Sequence, residues 1–321
     1  MSKSLMEYKK DEKVLGFYLV KSCELRTSNK GGEYMDMVIS DNSGEIAAKV
    51  WDLNREETAQ ARNAENRDIV KIQGVVTEWN GAKQIKVIKI RKATDEDEVE
   101  LSKLVKTAPV SGEELYDRIY GILKEVEDEE LRKLTASLME KNRDKLVYFP
   151  AASKNHHAIK GGLMYHVYRM LLTAQAVCGI YPILSRDLLY CGVILHDIAK
   201  LEEIDADELG MADRYTFEGQ MLGHIVQGIK MIDSECRELG ISDEKRIMME
   251  HMVLSHHYEP EYGSPKKPMF PEAEVLHYLD IVDARMYDME KWLENVAPGD
   301  FSDRIWSMDN RKIYKPLFGE Q

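Results

Sequence analysis

Two hydrophobic rhythms divide the chain. Up to residue 92 apolar and polar positions alternate, the period of two that sends successive side chains to opposite faces of a strand. The alternation predicts strands over 14–26, 33–40, 45–52, 68–79 and 84–92, with a short helix over 55–66 after the third. Asn80-Gly81 supplies the residues a two-residue hairpin turn demands, so the last two strands are joined directly. Within the last strand Ile85 and Val87 give way to Ile88 and Ile90, a change of phase that predicts a bulge where a small sheet must bend. Beyond residue 95 the apolar spacing turns helical. Helices are expected near 99–107, 112–126 and 129–142, the second opened by a Ser111/Glu114 capping box. Further helical runs follow to about residue 284. One of them, Cys191-Gly-Val-Ile-Leu-His-Asp-Ile-Ala-Lys200, carries a vicinal His196-Asp197 pair among apolar neighbours. An imidazole and a carboxylate so placed must be hydrogen-bonded or bound to a cation.

Length and charge sharpen this division. The 321 residues have room for two domains with a core each. Net charge is -13, which argues against a protein that coats nucleic acid generally. Residues 1–94 nevertheless hold 17 Lys and Arg against 14 Asp and Glu, or +3, leaving -16 for the rest. The expected organisation is a mildly basic domain over 1–94, an acidic linker with bracing helices over 95–150, and an acidic domain over 151–321. Asp95-Glu-Asp-Glu-Val-Glu100 opens the linker. Cys23, Cys178, Cys191 and Cys236 show no CxxC spacing, which suits a reduced, cytoplasmic setting. The N-terminal stretch lacks the apolar core of a signal peptide, and no apolar run reaches the ~20 residues of a membrane span. A soluble protein without a membrane partner is expected.

Five strands with a helix after the third are the order of an OB-fold barrel. The run Asp41-Asn-Ser-Gly-Glu-Ile-Ala-Ala-Lys-Val-Trp-Asp52 resembles the nucleic-acid-binding members of that fold. Such barrels hold single strands by stacking bases on aromatic rings beside basic groups. Tyr34, Trp51, Trp79, Lys83 and Lys86 are the candidates; the alternative is that the tryptophans fill the barrel core and the lysines are solvated hairpin charges.

All nine histidines lie in the second half: His156, His157, His166, His196, His224, His251, His256, His257 and His277. His166, His196-Asp197, His224, His256-His257 and Asp280 fall on successive helical runs, and a bundle can aim one such residue from each helix at a common centre. In that order they resemble the HD-domain metal-dependent phosphohydrolases, which implies an all-α HD bundle after the barrel and a multidomain α+β chain overall. Asn155-His-His-Ala with Gly161-Gly162-Leu-Met-Tyr-His166, Leu254-Ser-His-His-Tyr with Tyr262-Gly-Ser-Pro, and Phe301-Ser-Asp-Arg-Ile-Trp narrow the likeness. Together with the barrel they resemble the YhaM family of bacterial 3′-to-5′ exoribonucleases over nearly the whole chain.

The resemblance implies metal ligands at His166, His196, Asp197 and Asp280, with His224, His256 and His257 available for a second ion and Asp197 shared. A mixed imidazole and carboxylate shell suits Mn(II), here favoured, or Fe(II) or Co(II), better than a hard Mg(II) site. Lys200, one turn beyond His196, is expected to neutralise a phosphate oxygen; its alternative is a cation at a helix C-terminus. His156 and His157, on a connecting loop, are expected to orient the terminal nucleotide or protonate its leaving group. Arg304 in the tail is expected to reach a phosphate or to form a surface salt bridge. His251 and His277 read as structural, and Asp283 as a hydrogen-bonding partner of a ligand imidazole.

The leading function is therefore a metal-dependent exonuclease that shortens single-stranded RNA, and less efficiently DNA, to nucleoside monophosphates. Two rivals are a phosphohydrolase of small nucleotides, which has no need of a strand-binding barrel, and a DNA-binding replication accessory factor with a vestigial HD domain. A full set of seven metal-type residues argues against the second. Self-association is compatible with all three.

Overall fold

Alternating burial closes the first half of the chain into a barrel. In this computed structural model, which describes residues 3–28, 31–152 and 157–318, the strands are β1 (Lys13–Thr27), β2 (Glu33–Asp41), β3 (Gly44–Trp51), β4 (Ile69–Trp79) and β5 (Ala82–Lys92). They close in the order β1-β2-β3-β5-β4, with β3 and β5 parallel and every other pair antiparallel. Val14, Met37, Ile39, Val50, Ile72 and Ile85 fill the interior and are fully buried. Between β3 and β4 the expected helix is one short turn, α1 (Glu56–Ala59), continued as a 3-10 turn over Gln60–Asn63. The bulge falls where the phase of β5 changes. Gln73 pairs with Lys89 but Gly74 with Val87, so Ile88 is the extra residue. Gly74 fits that bend because a Cβ there would lie 2.8 Å from the Lys86 carbonyl oxygen.

The chain divides into two compact units at Lys106/Thr107, so residues 95–106 belong with the barrel. Asp97 receives two 2.6 Å hydrogen bonds from Arg91, and the Asn42 N–H donates to the Lys103 carbonyl. The helix expected over 99–107 is a single 3-10 turn, Leu101–Lys103, held by Asn42, which donates to the Ser102 and Lys103 carbonyls that a longer helix would use.

The second unit is helical: α2 (Gly112–Leu123), α3 (Glu129–Lys141), α4 (Arg143–Leu146), α5 (Gly162–Ile180), α6 (Arg186–Leu195), α7 (Lys200–Glu203), α8 (Phe217–Leu239), α9 (Asp243–Ser255) and α10 (Pro271–Leu293). A hairpin of β6 (Ile204–Ala206) and β7 (Ala212–Tyr215), which the helical spacing does not reveal, interrupts it. Ser111 Oγ caps α2 by accepting from the Glu114 N–H, but the Glu114 carboxylate turns to Arg118, so only half of the capping box forms. Leu115 and Ile119 of α2 and Leu134 and Leu138 of α3 share one core with Val167 and Met170 of α5 and Leu189 and Val193 of α6. The bracing helices are thus integral to the bundle. Among the described residues no helix is long and apolar enough to cross a membrane.

Candidate metal centre

The His196-Asp197 pair sits in the break between α6 and α7 rather than within one helix. The break lets both side chains turn inward; each is buried. With His196 the bundle gathers five imidazoles, their Nδ1 atoms already engaged. His196 and His256 each have Nδ1 on the carbonyl three residues back, Val193 at 2.8 Å and Val253 at 2.7 Å. His257 Nδ1 is 2.6 Å from the Tyr262 carbonyl, His224 Nδ1 3.1 Å from Glu203 Oε2, and His166 Nδ1 2.7 Å from Asp283 Oδ2. With an acceptor on every Nδ1, each ring in its neutral form carries its proton there and offers Nε2 as a lone pair, which in His166 requires a cation to displace a proton.

Four of those nitrogens point at one carboxylate. Asp197 Oδ2 lies 3.2 Å from His196 Nε2 and 3.9 Å from His166 Nε2; Oδ1 lies 3.5 Å from His224 Nε2 and 3.8 Å from His256 Nε2. Asp280 Oδ1 is 3.4 Å from His166 Nε2, and His224, His256 and His257 form a second set of mutually close ligand atoms. Asp197 Oδ1 and the Nε2 atoms of His196, His224 and His256 are buried without a hydrogen-bond partner. Four orphaned lone pairs in one place are costly unless a cation satisfies them, and the donor set fits divalent ions.

The electrostatics agree. Burial drives His256 far below the usual imidazole range and lowers His257, leaving both neutral as ligands must be. Burial opposes ionisation of Asp197, yet Lys200 and His196 hold it well below the ordinary carboxylate range. Lys200 Nζ lies 2.6 Å from Asp197 Oδ2 and stays protonated because that carboxylate outweighs its burial. Burial also works against charge on His166, but Asp280 and Asp283 carry it up to about 9. The acid-rich side of the cluster attracts positive charge.

Outside the ligands a further layer fixes their aim. Asp283 Oδ2 receives both His166 Nδ1 and His157 Nε2 at 2.7 Å, while Oδ1 is 2.6 Å from Arg169 Nε. Gly223 breaks α8 with φ 68 and ψ 165, a region open almost only to glycine. The break turns the His224 N–H to Glu203 Oε1 at 3.1 Å.

Comparison with known proteins agrees with this geometry. A family profile described as "HD domain" matches residues 163–285, and one described as "OB-fold nucleic acid binding domain" matches 19–93. A protein named "3′-5′ exoribonuclease YhaM" from Halalkalibacterium halodurans is 38% identical over 320 residues, covering 100% of this chain and 98% of the relative. Proteins of the same name from Geobacillus sp. (39% over 318 residues; 99% of this chain, 96% of the relative) and Listeria monocytogenes (38% over 318; 99% and 100%) are similar to the same extent. This chain belongs to the YhaM family. The HD match spans His166, His196, Asp197, Lys200, His224, His256, His257 and Asp280, and the OB-fold match spans Tyr34, Trp51, Trp79, Lys83 and Lys86.

In this family member His157 is not at the mouth of the site. It is fully buried, its ring 3.9 Å from that of Tyr287, and burial pushes its pKa down to about 4. The expected substrate contact gives way to a positioning place behind Asp283, because the His157 ring packs against Tyr165, His166 and Tyr287 with Nε2 on that carboxylate. His156 lies outside the described residues. His277 Nδ1 donates to the His256 carbonyl, and His251 Nε2 accepts from the Met269 N–H; both are structural contacts. Arg304 is exposed on the tail and donates to the Asn310 carbonyl.

On the barrel neither tryptophan is in the core: Trp51 is 43% and Trp79 68% exposed. Tyr34 and Trp51 are cross-strand partners whose rings stack at 4.4 Å, with Lys49 5.9 Å from the tyrosine ring. Lys86 is exposed opposite Lys49 across the parallel β3–β5 pair. Trp79 and Lys83 occupy the β4–β5 hairpin, and Lys83 donates to the Tyr8 carbonyl. Sequence reasoning missed Glu203 and Arg169. Their only signal was a charge near a ligand: Arg169 stands three residues after His166, one turn along α5.

Proposed function

We propose that this chain is a metal-dependent 3′-to-5′ exoribonuclease that shortens single-stranded RNA, and single-stranded DNA more slowly, to nucleoside monophosphates. The observation that carries the reading is Asp197, whose two oxygens face separate histidine sets, with the Nε2 atoms of His196, His224 and His256 buried without a hydrogen-bond partner. His166, His196, Asp197 and Asp280 would hold one divalent ion; Asp197, His224, His256 and His257 would hold a second. Manganese suits that mixed shell best, with Fe(II) and Co(II) next and Mg(II) last. Such ions, when bound, supply Lewis-acid polarisation of the phosphodiester and a hydrolytic nucleophile at neutral pH.

The chain's own residues do the rest. Lys200, cationic and 12% exposed beside Asp197, is placed to receive a phosphate oxygen. His157, Asp283 and Arg169 hold His166 in one tautomer, and Glu203 does the same for His224. Tyr34 and Trp51 grip bases on the barrel face formed by the second and third strands, with Trp79, Lys83 and Lys86 flanking it. Arg304 meets substrate only if the tail does. The protein works in the cytoplasm, and self-association fits the reading. Incubating 5′-labelled single-stranded RNA with Mn(II) tests it. A ladder shortening from the 3′ end supports exonuclease action; intact RNA alongside hydrolysed mononucleotides points to a small-nucleotide phosphohydrolase, and binding without cleavage to an accessory factor.

A further inference from the structure

The loop that follows the His256-His257 pair is firmly held, and it carries a ring that the bundle does not use. The chain leaves the pair through Tyr258 at φ 68, a region where a bulky residue is out of place unless its surroundings keep it there. Here they do. The His257 N–H donates to Ser264 Oγ at 3.1 Å, and Ser264 is fully buried. The Glu259 N–H donates to the His257 carbonyl at 2.8 Å, and the Tyr262 N–H to the Glu259 carbonyl at 3.0 Å. The Tyr258 ring lies 4.8 Å from that of His277, with Lys267 Nζ 4.6 Å from its centroid. Tyr262, by contrast, is 72% exposed. It stands beside the metal ligands all the same. Its carbonyl accepts from His257 Nδ1 at 2.6 Å, which puts its Cα within about 5 Å of that nitrogen. Gly263 packs on α8 one residue past His224, since a Cβ there would lie 3.3 Å from Ile225 Cδ1. This is an open side of the centre. The side chains of His166, His196, Asp197 and His256 are at most 3% exposed, whereas that of His224, its ring 5.1 Å from His257, is 11% exposed.

We infer that the Tyr262 ring is the platform on which the terminal base of the strand stacks, a substrate-binding role that rests on the exoribonuclease reading above. A strand whose last phosphodiester lies at the Asp197 cluster leaves one nucleotide beyond it, within reach of a ring that borders His257. Stacking suits the task. Every base has a π-face, so an enzyme that must remove whichever base comes next gains grip without choosing among them. The loop is already ordered, so little conformational freedom is lost when a base settles on the ring. Exposed Lys266 on the same loop sets a cation near it, in a part of the chain that is otherwise acidic, which favours a strand over an apolar partner.

The first cleavage of a 5′-labelled single-stranded RNA by the full chain with Mn(II) tests the inference, with either an intact 3′-terminal nucleotide or an abasic ribose spacer in its place. The wild type should take the intact end about 5- to 150-fold more efficiently in kcat/KM, the worth of one stacked base. Tyr262→Ala should lose that factor on the intact end, bringing the ratio of the two substrates close to one, while Tyr262→Trp keeps it. Bound Mn(II) should stay, since the carbonyl that aims His257 belongs to the backbone. Tyr262→Leu, which retains bulk without a π-face, gives the same comparison if the alanine variant misfolds. RNA shortened by the wild type with a ratio near one, or the wild-type ratio preserved in either folded variant, overturns the inference alone. A wild type that leaves RNA intact overturns the exoribonuclease reading and this inference with it.

Discussion

Replacing Asp283 by asparagine separates holding the metal from aiming its ligands. The carboxylate is buried and accepts from His166 Nδ1 and His157 Nε2 on one oxygen and from Arg169 on the other. Burial works against its charge, but the hydrogen bonds from His157 and His166 outweigh that and hold it below the ordinary carboxylate range. Asparagine preserves volume and one acceptor, but its amide N–H₂ must face either the imidazoles or the Arg169 guanidinium, donor against donor. Two losses follow. His166 is no longer held in the tautomer that offers Nε2, and losing such a partner typically costs 10- to 100-fold in metal affinity, about 1.4 to 2.7 kcal/mol. Arg169 keeps Glu290 at 2.9 Å and is partly solvated, so stability should fall by less than the ~3–5 kcal/mol of a fully stranded buried charge. Titrating metal-free protein with Mn(II) against a competing chelating dye reads the first loss, and thermal unfolding of the metal-free form reads the second. Activity of Asp283→Asn should return at high metal concentration. A folded variant that binds Mn(II) as tightly as wild type would refute the positioning argument.

Further outcomes follow from the same geometry. Asp197→Ala should abolish turnover and strip bound metal while leaving affinity for a long single strand within a few-fold; retained metal measured by elemental analysis would mean that the bridging assignment is wrong. Lys200→Ala should lower turnover by a factor on the order of 10², as losing one donor to developing charge does, with metal content unchanged; loss of metal in step with activity would give the lysine a structural role instead. Gly223→Ala should cost about 1–3 kcal/mol in thermal unfolding because φ 68 with ψ 165 is closed to a Cβ, and should weaken metal binding through His224. Trp51→Ala should weaken binding of a long RNA by about 1–3 kcal/mol in a fluorescence titration, the worth of one stacked base; unchanged affinity would leave the Tyr34–Trp51 pair a surface ornament of the sheet.

What could be read from the sequence and what could not divide along a physical line. A strand's alternation is a local record of which face is core, so β1 to β5 and even the bulge at Ile88 were legible one residue at a time. Ligand types on successive helical runs were legible for the same reason, since a bundle has few ways to bury that many imidazoles. The order of elements does not state how closely they approach. Asp283 and His157 are 126 residues apart and Glu203 and His224 are 21 apart; no spacing rule joins either pair. His157 shows the cost: a histidine amid loop residues reads as substrate-facing, whereas its ring packs against Tyr165, His166 and Tyr287 with Nε2 on Asp283. Gly223 was equally silent, because a glycine inside a helical pattern signals weakness and nothing in its neighbours announces a kink.

The same line explains why the histidines themselves were easier to assign than their states. A metal site needs each ring to present one nitrogen, and the ring cannot choose; the acceptor on its other nitrogen chooses for it. For His196 and His256 that acceptor is a carbonyl one turn back, so the choice is built into the helix ends that carry them. For His166, His224 and His257 it comes from Asp283, Glu203 and Tyr262, on other elements or across a turn. The centre therefore has two classes of ligand. Those aimed by their own helix should keep their geometry under any substitution elsewhere, and those aimed by a distant partner should lose it when that partner goes. Asp283→Asn and Gly223→Ala act on the second class, one on each side of Asp197, so their effects on metal affinity should add if the two histidine sets hold separate ions and should fail to add if they share one.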